Sequence, residues 1–125
     1  MLFRSEPISA NAFSNRARAW RAKGDLDYSI SDLGEAIRLE PGDAGNYNSR
    51  AWTYVLGGRD EDAMLDVNKA LDLDPSNAYA FDTRGNIYLK LGLRDKAIAD
   101  FRKAVALNPN LNESNAALQR LEASR

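Results

Sequence analysis

The chain has 125 residues, enough for one domain that buries roughly two-thirds of its unfolded surface on folding. With 17 basic and 18 acidic residues its formal net charge is −1, which provides no whole-molecule field for nucleic acid or an anionic membrane, so neither is expected as a partner. Cysteine and histidine are both absent, which removes disulfides, the zinc-ligand spacings and the commonest general base at neutral pH, so no metal and no cofactor is expected.

No apolar run approaches the length of a transmembrane helix, and Met1-Leu2-Phe3 is too short for a signal-peptide core, so a cytoplasmic protein is expected. Residues 1–9 are the least regular stretch. Leu2, Phe3 and Ile8 are apolar; they either fold back over the open face of the first helix or fray as a terminus does. Pro7 is the first of four prolines, with Pro41, Pro75 and Pro109 following at intervals of 34 residues. Residues 1–9 therefore read as a leader or as the remnant of an upstream repeat.

Ser9 is a competent N-cap, and the spacing predicts a helix from there to about Lys23, then a second from Asp25 or Asp27 to just before Pro41. Gly34 inside the second helix costs about 1 kcal/mol relative to alanine, so this first unit is expected to be the loosest. Pro41-Gly42-Asp43 is a stop followed by a cap, and Pro75-Ser76-Asn77 repeats the logic. Residues 10–43, 44–77 and 78–111 can then be read in one register. Phe13, Tyr47 and Phe81 share one column, Ala17, Ala51 and Gly85 a second, and Trp20, Tyr54 and Tyr88 a third, at the i, i+4, i+7 spacing of one helical face. A turn follows at Gly24, Gly58 and Gly92. Next comes a second apolar stripe, Ile30, Leu33, Ala36, Ile37 and Leu39 in the first unit, with equivalents from Met64 to Leu73 and from Ile98 to Leu107. Beyond Pro109 a final helix is expected over 112–125, with Leu118 and Leu121 on one face covering the last apolar surface.

Period, glycines, prolines and aromatic columns together resemble the tetratricopeptide repeat family, whose repeat has this same period. The resemblance covers residues 10–111. It implies an all-α fold, a right-handed α-solenoid of three helix–turn–helix repeats (10–43, 44–77 and 78–111) plus a C-terminal capping helix at 112–125. The departures are local: Ser29 stands where alanine is usual, and Arg16, Arg50 and Arg84 where an aliphatic residue is usual.

Those three arginines are matched by a second column, Asp32, Asp66 and Asp100. One reading is an arginine–aspartate ladder tying the first helix of a repeat to a neighbouring second helix. The other is a groove in which the arginines take a carboxylate. The ladder is favoured because the arginines lie on the same side as the packed stripe.

In the family, the first helix of each repeat lines a concave surface. Carried over by position, this implies a groove of Asn11, Ser14, Arg18 and Arg21 in the first repeat, Gly45, Asn48, Trp52 and Val55 in the second, and Tyr79, Asp82, Asn86 and Leu89 in the third. One end is cationic. Trp52 is either a binding anchor or packed on the neighbouring repeat. The family's two-carboxylate clamp for acidic C-terminal peptides is not reproduced, since its positions hold Ser14, Arg18, Ser49, Tyr79 and Thr83. Arg18 and Arg21 would suit one carboxylate or phosphate, and Trp52 with Tyr79 an apolar side chain, so a peptide with an acidic residue spaced from an aromatic or aliphatic one is expected.

Charge is uneven along the chain, +4 over residues 1–23, −8 over 24–75 and +3 over 76–125, and most of the acidic middle reads as a solvated surface with Asp60, Glu61 and Asp62 opening a helix. Nothing converges for catalysis: Glu61 and Asp62 diverge on a helix, no glycine-rich phosphate loop follows a strand, and the serines lack a histidine. The expected function is a non-catalytic protein–protein interaction module that binds a peptide or partner segment in the concave groove. The alternative is an assembly element that self-associates through its ends, for instance as a homodimer, or docks within a larger protein.

Overall fold

In the computed structural model, which describes residues 7–124, the chain folds into α1 (Ala10–Ala22), α2 (Leu26–Leu39), α3 (Ala44–Leu56), α4 (Asp60–Leu73), α5 (Ala78–Lys90), α6 (Arg94–Leu107) and α7 (Asn112–Ala123). There is no strand among the described residues. Helices α1 and α2, α3 and α4, and α5 and α6 pack as three hairpins, each hairpin packs on the next, and α7 closes the stack against α6. The architecture is an all-α solenoid of three helix–turn–helix repeats with a terminal helix. Leu2 and Phe3 lie outside the described residues, and Ile8 is 46% exposed.

The same turn is built three times. Gly24, Gly58 and Gly92 have φ of 86°, 75° and 76°, a left-handed backbone that residues with a Cβ avoid. In each turn the glycine N–H and the N–H after it donate back into the helix, Gly24 to Arg21 and Asp25 to Trp20 in the first repeat, with matching bonds from Gly58 and Arg59 and from Gly92 and Leu93. This double closure satisfies carbonyls that the helix end leaves without partners. Each second helix stops before its proline, and Asp43 and Asn77 then cap α3 and α5, their side-chain oxygens accepting from the Gly45 and Ala80 N–H groups. Ser9 does the same for α1 through the Ala12 N–H.

Packing inside the hairpins trades volume between columns. Phe101 fills the place held by Leu33 and Val67 in the earlier repeats, and Gly85 the place of Ala17 and Ala51. A Cβ on Gly85 would stand 2.9 Å from the fully buried Phe101 ring. Ser29, in an alanine column, is also buried, and its hydroxyl donates to the Ala17 carbonyl at 2.8 Å, so its polarity is satisfied.

Across each hairpin runs one bidentate ion pair. Arg16 Nε and Nη2 donate to Asp32 at 2.7 and 2.8 Å, Arg50 to Asp66 at 2.7 and 2.9 Å, and Arg84 to Asp100 at 2.8 and 3.1 Å. Aromatic rings flank the guanidinium groups: Tyr47 and Tyr54 lie 5.8 and 6.0 Å from Arg50, and Phe81 and Tyr88 lie 5.6 and 5.7 Å from Arg84. In the first repeat only Phe13 approaches, at 5.5 Å, while Trp20 stacks on Tyr28 instead. Arg16 is accordingly 51% exposed, against 23% for each of the other two. The Arg16 guanidinium holds the Asp32 carboxyl below its usual range.

Gly85→Ala should destabilise the chain by about 1–3 kcal/mol in urea or thermal melts, with most of the loss recovered by adding Phe101→Leu. Gly34→Ala meets only an Arg50 nitrogen at ordinary contact distance, 3.8 Å, and should stabilise by up to about 1 kcal/mol. In the ladder, Asp66→Ala strands a half-buried guanidinium and should cost on the order of 3 kcal/mol, more than Arg50→Met combined with Asp66→Leu. The opposite order in melts would show that the pair is not what ties the hairpin.

Candidate functional site

A hollow of about 620 Å³ opens along the first helices of the repeats and reaches the start of α7. From α1 it receives Arg18 and Arg21, from α3 Gly45, Asn48, Ser49 and Trp52, from α5 and its cap Asn77, Tyr79, Asp82 and Thr83, and from α7 Glu113. A smaller hollow of about 260 Å³ adjoins it, where Trp52, Asp82 and Glu113 meet Asn86, Phe101 and Arg120. Trp52 is half-buried and lines both; its side chain also packs on the central core. Tyr79 is 59% exposed.

The two ends of the hollow differ in charge. Arg21 reaches across to α3, where one of its nitrogens donates to the Ser49 carbonyl at 3.3 Å, to Ser49 Oγ at 2.9 Å and to Thr53 Oγ1 at 3.1 Å. Burial lowers the affinity of Arg21 for its proton, and the nearby Arg18 charge adds to that; arginine nevertheless stays charged. At the other end Asp82 accepts a hydrogen bond from Ser114 of α7. Burial pushes the Asp82 carboxyl up from its ordinary value, the Ser114 hydrogen bond opposes that rise, and the negative charge of Glu113 reinforces it.

Five of the sequence-derived groove residues do not line the larger hollow. Val55 is buried among Ala63, Val67 and Ile87, a correction to its place in the groove; it follows Ala51 by one helical turn and so shares that residue's packed face. Its carbonyl is covered by Lys90, which donates to it at 3.0 Å. Leu89, in the same column, packs against the C-terminal cluster of Ala97, Phe101 and Ala117. Ser14 donates to Asn46 of the next repeat at 2.6 Å. Asn11 is exposed outside the hollow, and Asn86 lines the smaller one. Glu113 and Asn77 were not expected there; Glu113 falls in the column of Asn11, Gly45 and Tyr79 once the register is carried past Pro109.

Residues 44–77 and 83–111 match models of the tetratricopeptide repeat. The chain belongs to the tetratricopeptide repeat family. Among solved tetratricopeptide structures, it superposes on the first such domain of Spaghetti (RPAP3), bound to the HSP90 peptide SRMEEVD, with a TM-score of 0.88 at 21% identity over 96% of this chain and 98% of that one. The Arabidopsis OM64 domain gives 0.83 at 27% identity, covering 90% of this chain and 93% of the other. The second human RPAP3 domain, in complex with the HSP70 peptide SGPTIEEVD, gives 0.80 at 25% identity, covering 90% and 94%. No curated protein sequence matches the chain. Among the described residues no helix of this tetratricopeptide array is long and apolar enough to cross a membrane, and no group of three His, Cys, Asp or Glu could hold a metal ion.

Asp82 binds its proton more tightly in the folded chain than in the unfolded one. Its ionisation therefore opposes folding: stability is unaffected below the unfolded carboxylate range and falls as pH rises through the raised native value. Asp82→Asn, which keeps an oxygen for Ser114, should raise the melting temperature at pH 7, and the gain should shrink as the pH is lowered into the carboxylate range.

Proposed function

We propose that the chain is a non-catalytic recognition module that takes a peptide, or a segment of a partner protein, in the hollow lined by its first helices. The observation that carries this reading is Trp52, a half-buried indole shared by two adjoining hollows. Beside it stand an exposed Tyr79 and an exposed Arg18 that pairs with no carboxylate among the described residues. Aromatic and arginine side chains in a preformed hollow contribute binding at low ordering cost. The likeness to tetratricopeptide domains that hold HSP90 and HSP70 peptides supports a peptide as the occupant.

The peptide differs from those tails. Arg18 is the one cation at the five clamp positions, the others being Ser14, Ser49, Tyr79 and Thr83, so a pair of carboxylates at a chain end finds no matching pair of clamps. The module is expected to meet its partner in the cytoplasm. Self-association through the ends has less support, because Leu118 and Leu121 pack onto the C-terminal cluster.

Screening the full chain against an immobilised peptide library tests the proposal. Selected peptides should lose about tenfold or more in affinity on Trp52→Ala and on Arg18→Ala, with helical content unchanged by circular dichroism, while SRMEEVD should bind no better than a scrambled control. Affinity that survives both substitutions would move the binding surface elsewhere. Light scattering should report a monomer; a dimer abolished by deleting residues 1–7 would make self-assembly the function instead.

A further inference from the structure

The stack neutralises its buried carboxylates with care, except in the hollow. Asp32, Asp66 and Asp100 each receive two guanidinium hydrogen bonds. Asp82 is half-buried, yet its hydrogen-bond partner is the neutral Ser114 and its charged neighbour is another carboxylate, Glu113. Arg120 lies two turns further along α7, against Asn86 and Phe101 in the smaller hollow, and is not among the groups that perturb Asp82. The opposite end shows the mirror situation. Arg21 is partly buried, its contacts are neutral oxygens of Ser49 and Thr53, and its charged neighbour is another cation, Arg18.

The hollow thus holds two like-charged pairs of opposite sign, one at each end, and in each pair one member, Arg21 or Asp82, is partly withdrawn from water while the other is exposed. Such pairs repel internally, and a countercharge supplied by a ligand relieves the repulsion. Between them stand the apolar surfaces of Trp52 and Tyr79 and the Asn48 side chain, whose Oδ1 has no hydrogen-bond partner.

We propose that the hollow selects an extended segment of bipolar charge. A carboxylate of the ligand sits on Arg18 and Arg21, an aliphatic or aromatic side chain rests on Trp52 and Tyr79, and a lysine or arginine sits between Asp82 and Glu113. A small turn of the Asn48 amide gives its oxygen a main-chain N–H of the ligand. The inference rests on the hollow being the binding surface and adds the charge pattern of what it binds. Adjacent packed helices stand about 8–10 Å apart, so α1 and α5, separated by α3, place the two ends roughly 15–20 Å apart. At about 3.3–3.6 Å per extended residue, that separation calls for an acidic and a basic residue about five positions apart.

The test uses fluorescence anisotropy with the full chain and fluorescein-labelled nonapeptides. Each peptide carries one glutamate and one arginine, about three to seven positions apart with a leucine between, in both chain directions, alongside versions with glutamine or glutamate in place of the arginine. Affinity should peak near a separation of five in one direction. Replacing the peptide arginine by glutamine should weaken binding about tenfold or more, as expected for a charge-assisted contact out of bulk water. On Glu113→Gln and Asp82→Asn chains that loss should shrink to about threefold or less. Glu113 is exposed and its substitution leaves the core untouched. Binding that requires Trp52 but is indifferent to the peptide arginine would overturn the bipolar pattern and leave the peptide groove standing. No binding by any of these peptides, together with no hits from the library, would overturn both.

Discussion

The pairing of one guanidinium with one carboxylate across each hairpin holds one face of each first helix against its second helix. An α-helix advances about 100° per residue, so side chains two apart project nearly opposite one another. With Arg16, Arg50 and Arg84 held toward the second helix by two hydrogen bonds each, Arg18, Trp52 and Asn86 are turned to the concave side, where they line the two hollows. The aromatic rings one turn before and after Arg50 and Arg84 add to this by flanking the guanidinium on that side. The same interaction thus separates the packed face from the groove face in all three repeats. Its weakest copy, at Arg16, lies in the helix that supplies the cationic end of the groove.

The fold was legible in the sequence because its causes are local and recur. A glycine that must adopt positive φ, a proline that ends a helix, an oxygen that caps the next and an aromatic column at helical spacing are each read from a few neighbouring residues. The groove was legible only in part, because a column of equivalent positions does not share one environment. Arg21, Val55 and Leu89 occupy one column. Arg21 bridges to Ser49 and Thr53, Val55 is sealed in the core, and Leu89 packs on the C-terminal cluster. What decides among these is the side chain supplied by the following repeat, some thirty residues away, and helical periodicity carries no information about it. The column of Ser14 and Asp82 behaves likewise, Ser14 spent on Asn46 and Asp82 on Ser114. For Asn48, the middle member, the corresponding position holds Ala80, which offers no side-chain partner, and its oxygen is left unpartnered.

Where this chain departs from the repeat pattern, the departure is balanced nearby. Ser29 brings a hydroxyl into an alanine column, and the Ala17 carbonyl accepts from it. Gly85 vacates the volume that the Phe101 ring occupies. Each exchange conserves either volume or hydrogen bonding, which is how a repeat array keeps its geometry while its sequence drifts. Against that pattern the charges in the hollow stand out, because the charged neighbour of Asp82 is another carboxylate and that of Arg21 another cation.

That contrast changes the meaning of the last helix. One face of α7 carries Ala117, Leu118 and Leu121 onto Phe101 and Ala97, which is the work of a cap: it removes from water an apolar surface that a further repeat would otherwise cover. Seating that face also fixes the first turn of the helix. Ser114 is brought to Asp82, and Glu113, one residue earlier and about 100° around the helix, is turned toward the hollow. The acidic end is therefore assembled by the same packing that closes the core. A cap whose only task was solubility would be free to carry any polar residue at position 113. Here the carboxylate is placed beside another that is already short of solvent, an arrangement that raises the energy of the empty groove and is relieved by a cation supplied from outside.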